Sequence, residues 1–222
     1  DREIGDREVE IFRHAGGSVT ATEIDARVET DRYLEGVRDS MRAFVRPGLY
    51  AEIERQIELA REAPGAAEAA LMDRVAELMA SAPERFHRVI FDTAPTPSLL
   101  HGSIYMATDA LLYPTKCEYL SFDGLMESMK HRDEASKARQ YVGLDEVSVG
   151  GIIPTMYRTG TQADDYGIEI LKERFGKLVW PEISLRTVWN QASFARRLLF
   201  SFAPDTKAAS EAWRTVELAE AI

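Results

Sequence analysis

The apolar positions of this chain change rhythm several times, and each change marks an element. Residues 8–12 (EVEIF) and 18–24 (SVTATEI) have strand composition and flank the turn signal Gly16-Gly17. From Thr30 the spacing becomes helical: Tyr33, Leu34, Val37, Met41, Phe44 and Val45 recur at steps of three and four. Thr30 or Asp31 is the expected cap, and Pro47-Gly48 the break. A second helix is expected over 49–63 and a third over 66–82, which together form a small helical subdomain over 30–84. Strands and helices then alternate. Strands are expected near 87–92, 109–114, 147–155 and 178–183, and helices near 98–107, 118–141, 162–175 and 205–221. That alternation predicts an α/β fold whose mostly parallel sheet carries helices on both faces. In such sheets ligands sit at the carboxyl ends of the strands, and Asp92 is expected at one of those ends.

Composition narrows the class. The 222 residues suit one large domain, or one domain with a small appendage, and 45% apolar with 29% charged content is ordinary for a globular chain. No apolar run approaches the roughly 18 residues that suggest a membrane helix. The charged start shows no signal peptide, so a cytoplasmic location is expected. One cysteine, Cys117, excludes an internal disulfide and a cysteine-cluster metal site. A net charge of −10 argues against a strongly basic nucleic-acid binder. No lysine precedes Lys116, so arginine carries all the earlier positive charge.

Asp92 is the first chemical candidate. A carboxylate that follows Val89, Ile90 and Phe91 and precedes two prolines, Pro95 and Pro97, can hold magnesium opposite a phosphate-binding loop. Its plainer alternatives are a cap on the next helix or a turn residue. The glycine-rich loop that should accompany it ends in Gly-Lys-Ser/Thr. The one Gly-Lys here, Gly176-Lys177, is followed by leucine and reads as a helix end. His14, His87, His101 and His131 have no metal-ligand spacing, and Ser103 lacks a nucleophile elbow. Cys117 reads as a buried thiol, and Leu125, Met126 and Met129 as helix core. Arg196-Arg197 reads either as a solvated pair or as a phosphate contact.

The stretch FDTAPTPSLLHGSIYMATDALLYPTKCEYLSFDGLMESM, from Phe91 onward, resembles the ParA/Soj partition ATPases in spacing as well as type. Asp92 falls at their Walker B aspartate, and Pro95 completes Asp-x-x-Pro. Ala107-Thr108-Asp109, Pro114, Cys117-Glu118-Tyr119 and Gly124-Leu125 match the motifs that follow. GGIIPTMYRTGT and APDTKAASEAW are similar to two later family segments, so the resemblance spans 87–222. The first third is different. TEIDARVETDRYLEGVRD, APGAAEAALMDRVAELM and VIFDTAPT resemble the ArsA-type ATPases. Both groups belong to the ParA/MinD/ArsA superclass of P-loop ATPases with a deviant Walker A motif.

The resemblance implies a single P-loop NTPase-like domain over 1–222, with an α/β core at 87–222. It implies that the first strand and P-loop would have preceded Asp1, so the 222 residues alone would lack the Walker A lysine. A complete member would bind Mg2+ and ATP, dimerise with ATP, and partition or position DNA or other cargo. A ParB-like activator and non-specific DNA are the implied partners. Asp92 would be the catalytic magnesium-orienting carboxylate, acting through water. Thr93 to Pro95 would form switch II. Thr155, Met156, Ile183 and Ser184 would frame the nucleotide, and Arg196 and Arg197 would face DNA or a partner. The chain departs from the family pattern at Ile183-Ser184-Leu185, at Gln191-Ala192-Ser193 and at Arg196, where the family has glycine. Two other readings are an ArsA-like anion-transport or protein-targeting ATPase, and a non-catalytic interaction domain. An arsenite site needs several soft ligands, which Cys117 alone does not supply.

Overall fold

A computed structural model describes residues 8–14, 17–44, 47–63, 65–93 and 99–222. The chain divides into two compact units, Asp1–Ala107 and Thr108–Ile222.

The first unit opens with a hairpin. β1 (Val9–His14) pairs antiparallel with β2 (Gly17–Ala21). α1 (Ala26–Phe44), α2 (Tyr50–Arg61) and α3 (Ala66–Arg85) follow, and α1 packs on both of the others. α4 (Leu99–Ala107) packs on α3. Leu34, Ile57, Ala70, Val75 and Ile104 are buried. Charge cross-links these helices. Glu54 on α2 accepts from Arg38 and Arg42 on α1 at 2.9 Å each, and Glu29, buried on α1, lies 2.9 Å from Arg32 and 3.7 Å from Arg74 on α3.

Two expectations fail in this unit. α1 starts five residues before Asp31, because Asp25 caps it: its carboxylate accepts the N–H groups of Arg27 and Val28 at 2.8 and 3.1 Å. Thr30 is a helix-interior residue, and its hydroxyl donates back to the Ala26 carbonyl at 2.6 Å. The strand expected at 87–92 is absent, and Ile90 is 86% exposed. Strand composition is not enough without a ladder to take the backbone groups, and no described strand of this unit pairs with the stretch.

The second unit holds a parallel sheet. β3 (Ala110–Lys116) pairs with β4 (Ser148–Thr155) from Ala110↔Ser148 to Lys116↔Thr155. The connection is α5 (Tyr119–Tyr141), as a parallel crossover requires. α6 (Gln162–Phe175) ends on Gly176, whose φ of 54° is the turn conformation glycine favours. The third strand, expected at 178–183, forms as isolated parallel bridges, Ile152↔Val179 and Tyr157↔Ser184. Trp180 and Ile183 donate to the carbonyls of Ile152 and Pro154 at 2.9 and 2.8 Å. Pro154 and Pro181 each lack an N–H, so the ladder is interrupted there. Leu125, Ile152 and Leu171 are buried between sheet and helices, with Tyr113, Phe122, Met129, Phe175 and Val179 packed around them.

Beyond this, α7 (Thr187–Phe194) and α8 (Leu199–Phe202) are short helices that the apolar spacing does not announce. α9 (Lys207–Glu220) starts at Thr206, whose hydroxyl accepts the Ala209 N–H at 3.3 Å. Ala192, Leu199, Ala208 and Ala209 form a second buried cluster.

Candidate functional site

The carboxyl ends of β3 and β4 bring together four of the residues expected to frame a nucleotide. Thr155 ends β4, and its hydroxyl donates to the Thr115 carbonyl on β3 at 3.3 Å. Met156 follows with φ 56°, a left-handed backbone that a side chain makes costly, and its side chain is 52% exposed. The Tyr157 N–H donates to the Ile183 carbonyl at 3.1 Å, and its own carbonyl accepts from Leu185 at 2.8 Å. Met156, Ile183 and Ser184 therefore lie side by side on neighbouring parallel segments.

Ser184 is not a free ligand. It is buried, and its N–H and hydroxyl donate to the two oxygens of Glu211 on α9 at 3.1 and 3.2 Å. Arg186 reaches the same carboxylate at 2.8 Å, and the Trp189 indole N–H donates to the Ser184 carbonyl at 3.3 Å. Burial pushes the Glu211 carboxyl up, but the Arg186 hydrogen bond, the Ser184 N–H, the Arg186 charge and the Ser184 hydroxyl outweigh it and hold it below the usual carboxylate range. Because its folded pKa is depressed, this carboxylate stabilises the fold above the ordinary value of 4.5 and loses that contribution as pH falls through the folded value. Glu211→Gln should cost about 2 kcal/mol at neutral pH, since Arg186 then faces no charge. Its melting temperature should also fall less than the wild type's between about pH 5 and about pH 3, as thermal melts would record.

Cys117, one residue past β3, is buried. Burial first, then the charges of Asp164, Glu182 and Glu118, push its thiol up to about 11. It is a neutral packing group, not a nucleophile. α6 approaches it closely at Gly167, where a Cβ would stand 2.8 Å from the Cys117 carbonyl oxygen.

Asp92 and Thr93 lie in the first unit and are exposed, while Pro95 falls outside the described residues. Among the described residues, no group of three or more His, Cys, Asp or Glu could hold a metal ion. No helix of the described chain is long and apolar enough to cross a membrane.

Arg196 and Arg197 close α7. Arg196 has φ 51°, and its N–H donates to Ser193 at 2.9 Å while the Arg197 N–H donates to Ala192 at 3.0 Å. This is the paired Schellman arrangement, with Arg196 at the position glycine usually takes. The Arg197 guanidinium donates to the Ser201 carbonyl and lies 5.8 Å over the Phe202 ring. What sequence reasoning missed here is the Glu211–Ser184–Arg186 network. It joins residues 25 to 27 positions apart, and no local spacing signals it.

Residues 2–102 match the anion-transporting ATPase (ArsA) family. The uncharacterized proteins MT1749 and Rv1708 of Mycobacterium tuberculosis are 29% identical over 127 residues, which is 57% of this chain and 39% of each relative. The match thus spans well under half the length of these relatives. Among solved structures, apo McdA of Cyanothece aligns with TM-score 0.53 and 20% identity over 68% of this chain and 58% of McdA. An ATP complex of a Cyanothece McdA variant aligns with the same score and identity over 76% of this chain and 63% of that one. The parallel sheet and its crossover helices share the fold of these ATPase neighbours, and residues 2–102 are similar to the ArsA family.

Proposed function

We propose that this chain is the switch and base-binding portion of a nucleotide-switched ATPase that binds Mg-ATP, dimerises with it, and partitions or positions DNA or other cargo in the cytoplasm. The observation that carries this reading is the strained, exposed Met156 beside Ile183 at the carboxyl end of the parallel sheet. Backbone strain of this kind clusters at ligand sites, and strand ends are where such sheets bind ligands. The bound ATP of the aligned McdA complex supports the same reading.

The roles divide as follows. Thr155, Met156 and Ile183 frame the base. Ser184 holds the Ile183 segment in place through Glu211 instead of touching ligand. Asp92 orients magnesium through water, and Thr93 to Pro95 sense the γ-phosphate. One exposed carboxylate, with no metal-ligand cluster among the described residues, suits magnesium that arrives with ATP, because that ion keeps water and phosphate oxygens in most of its positions. Magnesium there would neutralise charge on the phosphates. A ParB-like activator and non-specific DNA remain the partners of this reading, with Arg196 on the outer surface and Arg197 partly committed to Ser201.

The ArsA-like reading, an anion-transport or targeting ATPase, draws on the match over residues 2–102. The single buried thiol weighs against a soft-anion site in this chain. Light scattering on the gene product that carries this chain separates the possibilities. Mg-ATP should convert monomer to dimer, and ADP should not. A mass unchanged by Mg-ATP would sink the switched-dimer reading and favour a non-catalytic interaction domain.

A further inference from the structure

Met156 has a left-handed backbone and a half-exposed side chain, and the two residues after it are bonded to the first turn of α6. The Tyr157 hydroxyl donates to Asp165, and the Arg158 N–H donates to Asp164 Oδ2 at 2.6 Å. The Arg158 guanidinium reaches Glu118 Oε1 at 3.4 Å. Asp164 is 7% exposed, so its bond is shielded from water. Both aspartates stand in the first turn of α6, where acidic side chains usually cap their own helix. Here they reach backwards over six and eight residues, to the loop that follows β4. We propose that Asp164 and Asp165 are positioning residues that clamp the 156–160 loop, and that this clamp sets the affinity of the site for the base of a nucleotide. The second half rests on the nucleotide reading above.

The clamp is made of charge-assisted bonds, which are stronger than neutral ones and directional. The Tyr157 hydroxyl is pushed up to about 12, first by its hydrogen bond to Asp165, then by burial and by the charges of Asp165, Glu182 and Asp164. It therefore remains a donor at any physiological pH. With the clamp intact, Met156 is presented in one conformation and a base finds its surface ready. With the clamp released, the left-handed residue relaxes, and binding must restore it. A ligand with phosphates but no base would not sense the difference.

Calorimetric titration of the gene product that carries this chain, with Mg-ATP and separately with Mg-tripolyphosphate, tests this. Tyr157→Phe removes one clamp donor without burying anything new. It should weaken Mg-ATP roughly fivefold and leave tripolyphosphate unchanged. Asp164→Ala should weaken Mg-ATP about tenfold, and Asp164→Asn, which keeps an acceptor, should return it to within about twofold of wild type. Equal losses for both ligands, or no loss for Mg-ATP in either Tyr157→Phe or Asp164→Ala, would overturn the proposal. Hydrogen exchange of the Arg158 amide reads the clamp without nucleotide. Exchange should accelerate about tenfold in Asp164→Ala, and unchanged exchange means there is no clamp. A wild-type protein that fails to bind Mg-ATP while the Arg158 amide responds would defeat the nucleotide reading and the base-affinity half with it, leaving only the clamp.

Discussion

Alanine in place of Asp92 is expected to lower magnesium-dependent ATP turnover about 100-fold or more in the gene product that carries this chain, with little change in stability. The structure removes one competing explanation for this carboxylate. α4 begins at Leu99, seven positions after Asp92, which is too far upstream to cap it. Asp92 is also exposed, and it has no hydrogen-bond or ion-pair partner among the described residues. A substitution there breaks no contact among the described residues, and surface changes of this kind usually stay within about 0.5 kcal/mol. Function and stability should therefore separate. Turnover at saturating Mg-ATP and a thermal melt on the same preparation check both. Wild-type turnover in Asp92→Ala would strip the residue of its role. A collapsed melt would make it a turn residue whose loss acts through folding.

The parts of this fold that a sequence discloses are those whose causes are local. α6 was expected over 162–175 and spans Gln162–Phe175, because a polar start, three- and four-step apolar residues and a terminal glycine all agree. α5, α9 and β4 follow for similar reasons to within two residues. The failures have non-local causes. Residues 87–92 have strand composition, but a strand exists only with a partner. The apolar stripe of α1 was also only partly informative. Leu34 is buried and Val37 half-buried, but Tyr33 and Met41 are 39% and 44% exposed. In a unit this small, a hairpin and four α-helices, there is not enough interior to cover a wide stripe. The site divides the same way. Family spacing singles out Met156 and Ile183, which the structure sets on neighbouring segments, whereas the carboxylates bonded to the residues beside them, Asp164, Asp165 and Glu211, look like ordinary helix-surface acids in sequence. Arg196 takes the position where the resembled family has glycine, and it bears the strain of a positive φ in the turn that ends α7.

The largest stability loss should come from the smallest added group, a methyl at Gly151. This residue lies on β4 opposite Leu112, and a Cβ there would drive into the Trp180 indole, 2.7 Å from Cζ2 and closer still to Cε2 and Nε1. Trp180 cannot swing aside cheaply. It is 7% exposed, and its N–H donates to the Ile152 carbonyl, one of the two backbone bonds described above that join β4 to the segment that carries Ile183. Overpacking of this kind costs about 3 kcal/mol, which for a chain of this size corresponds to a melting temperature lower by roughly 6–12 °C. Gly124, in α5, gives the opposite expectation, because nothing lies within 4 Å of a Cβ there. Alanine should raise helix stability by about 0.5–1 kcal/mol at that position. Melting Gly151→Ala and Gly124→Ala side by side separates the effect of a methyl as such from the effect of its surroundings. A Gly151→Ala protein as stable as wild type would mean that the indole does not sit against β4. The ladder that places Ile183 beside Met156 would then need another support.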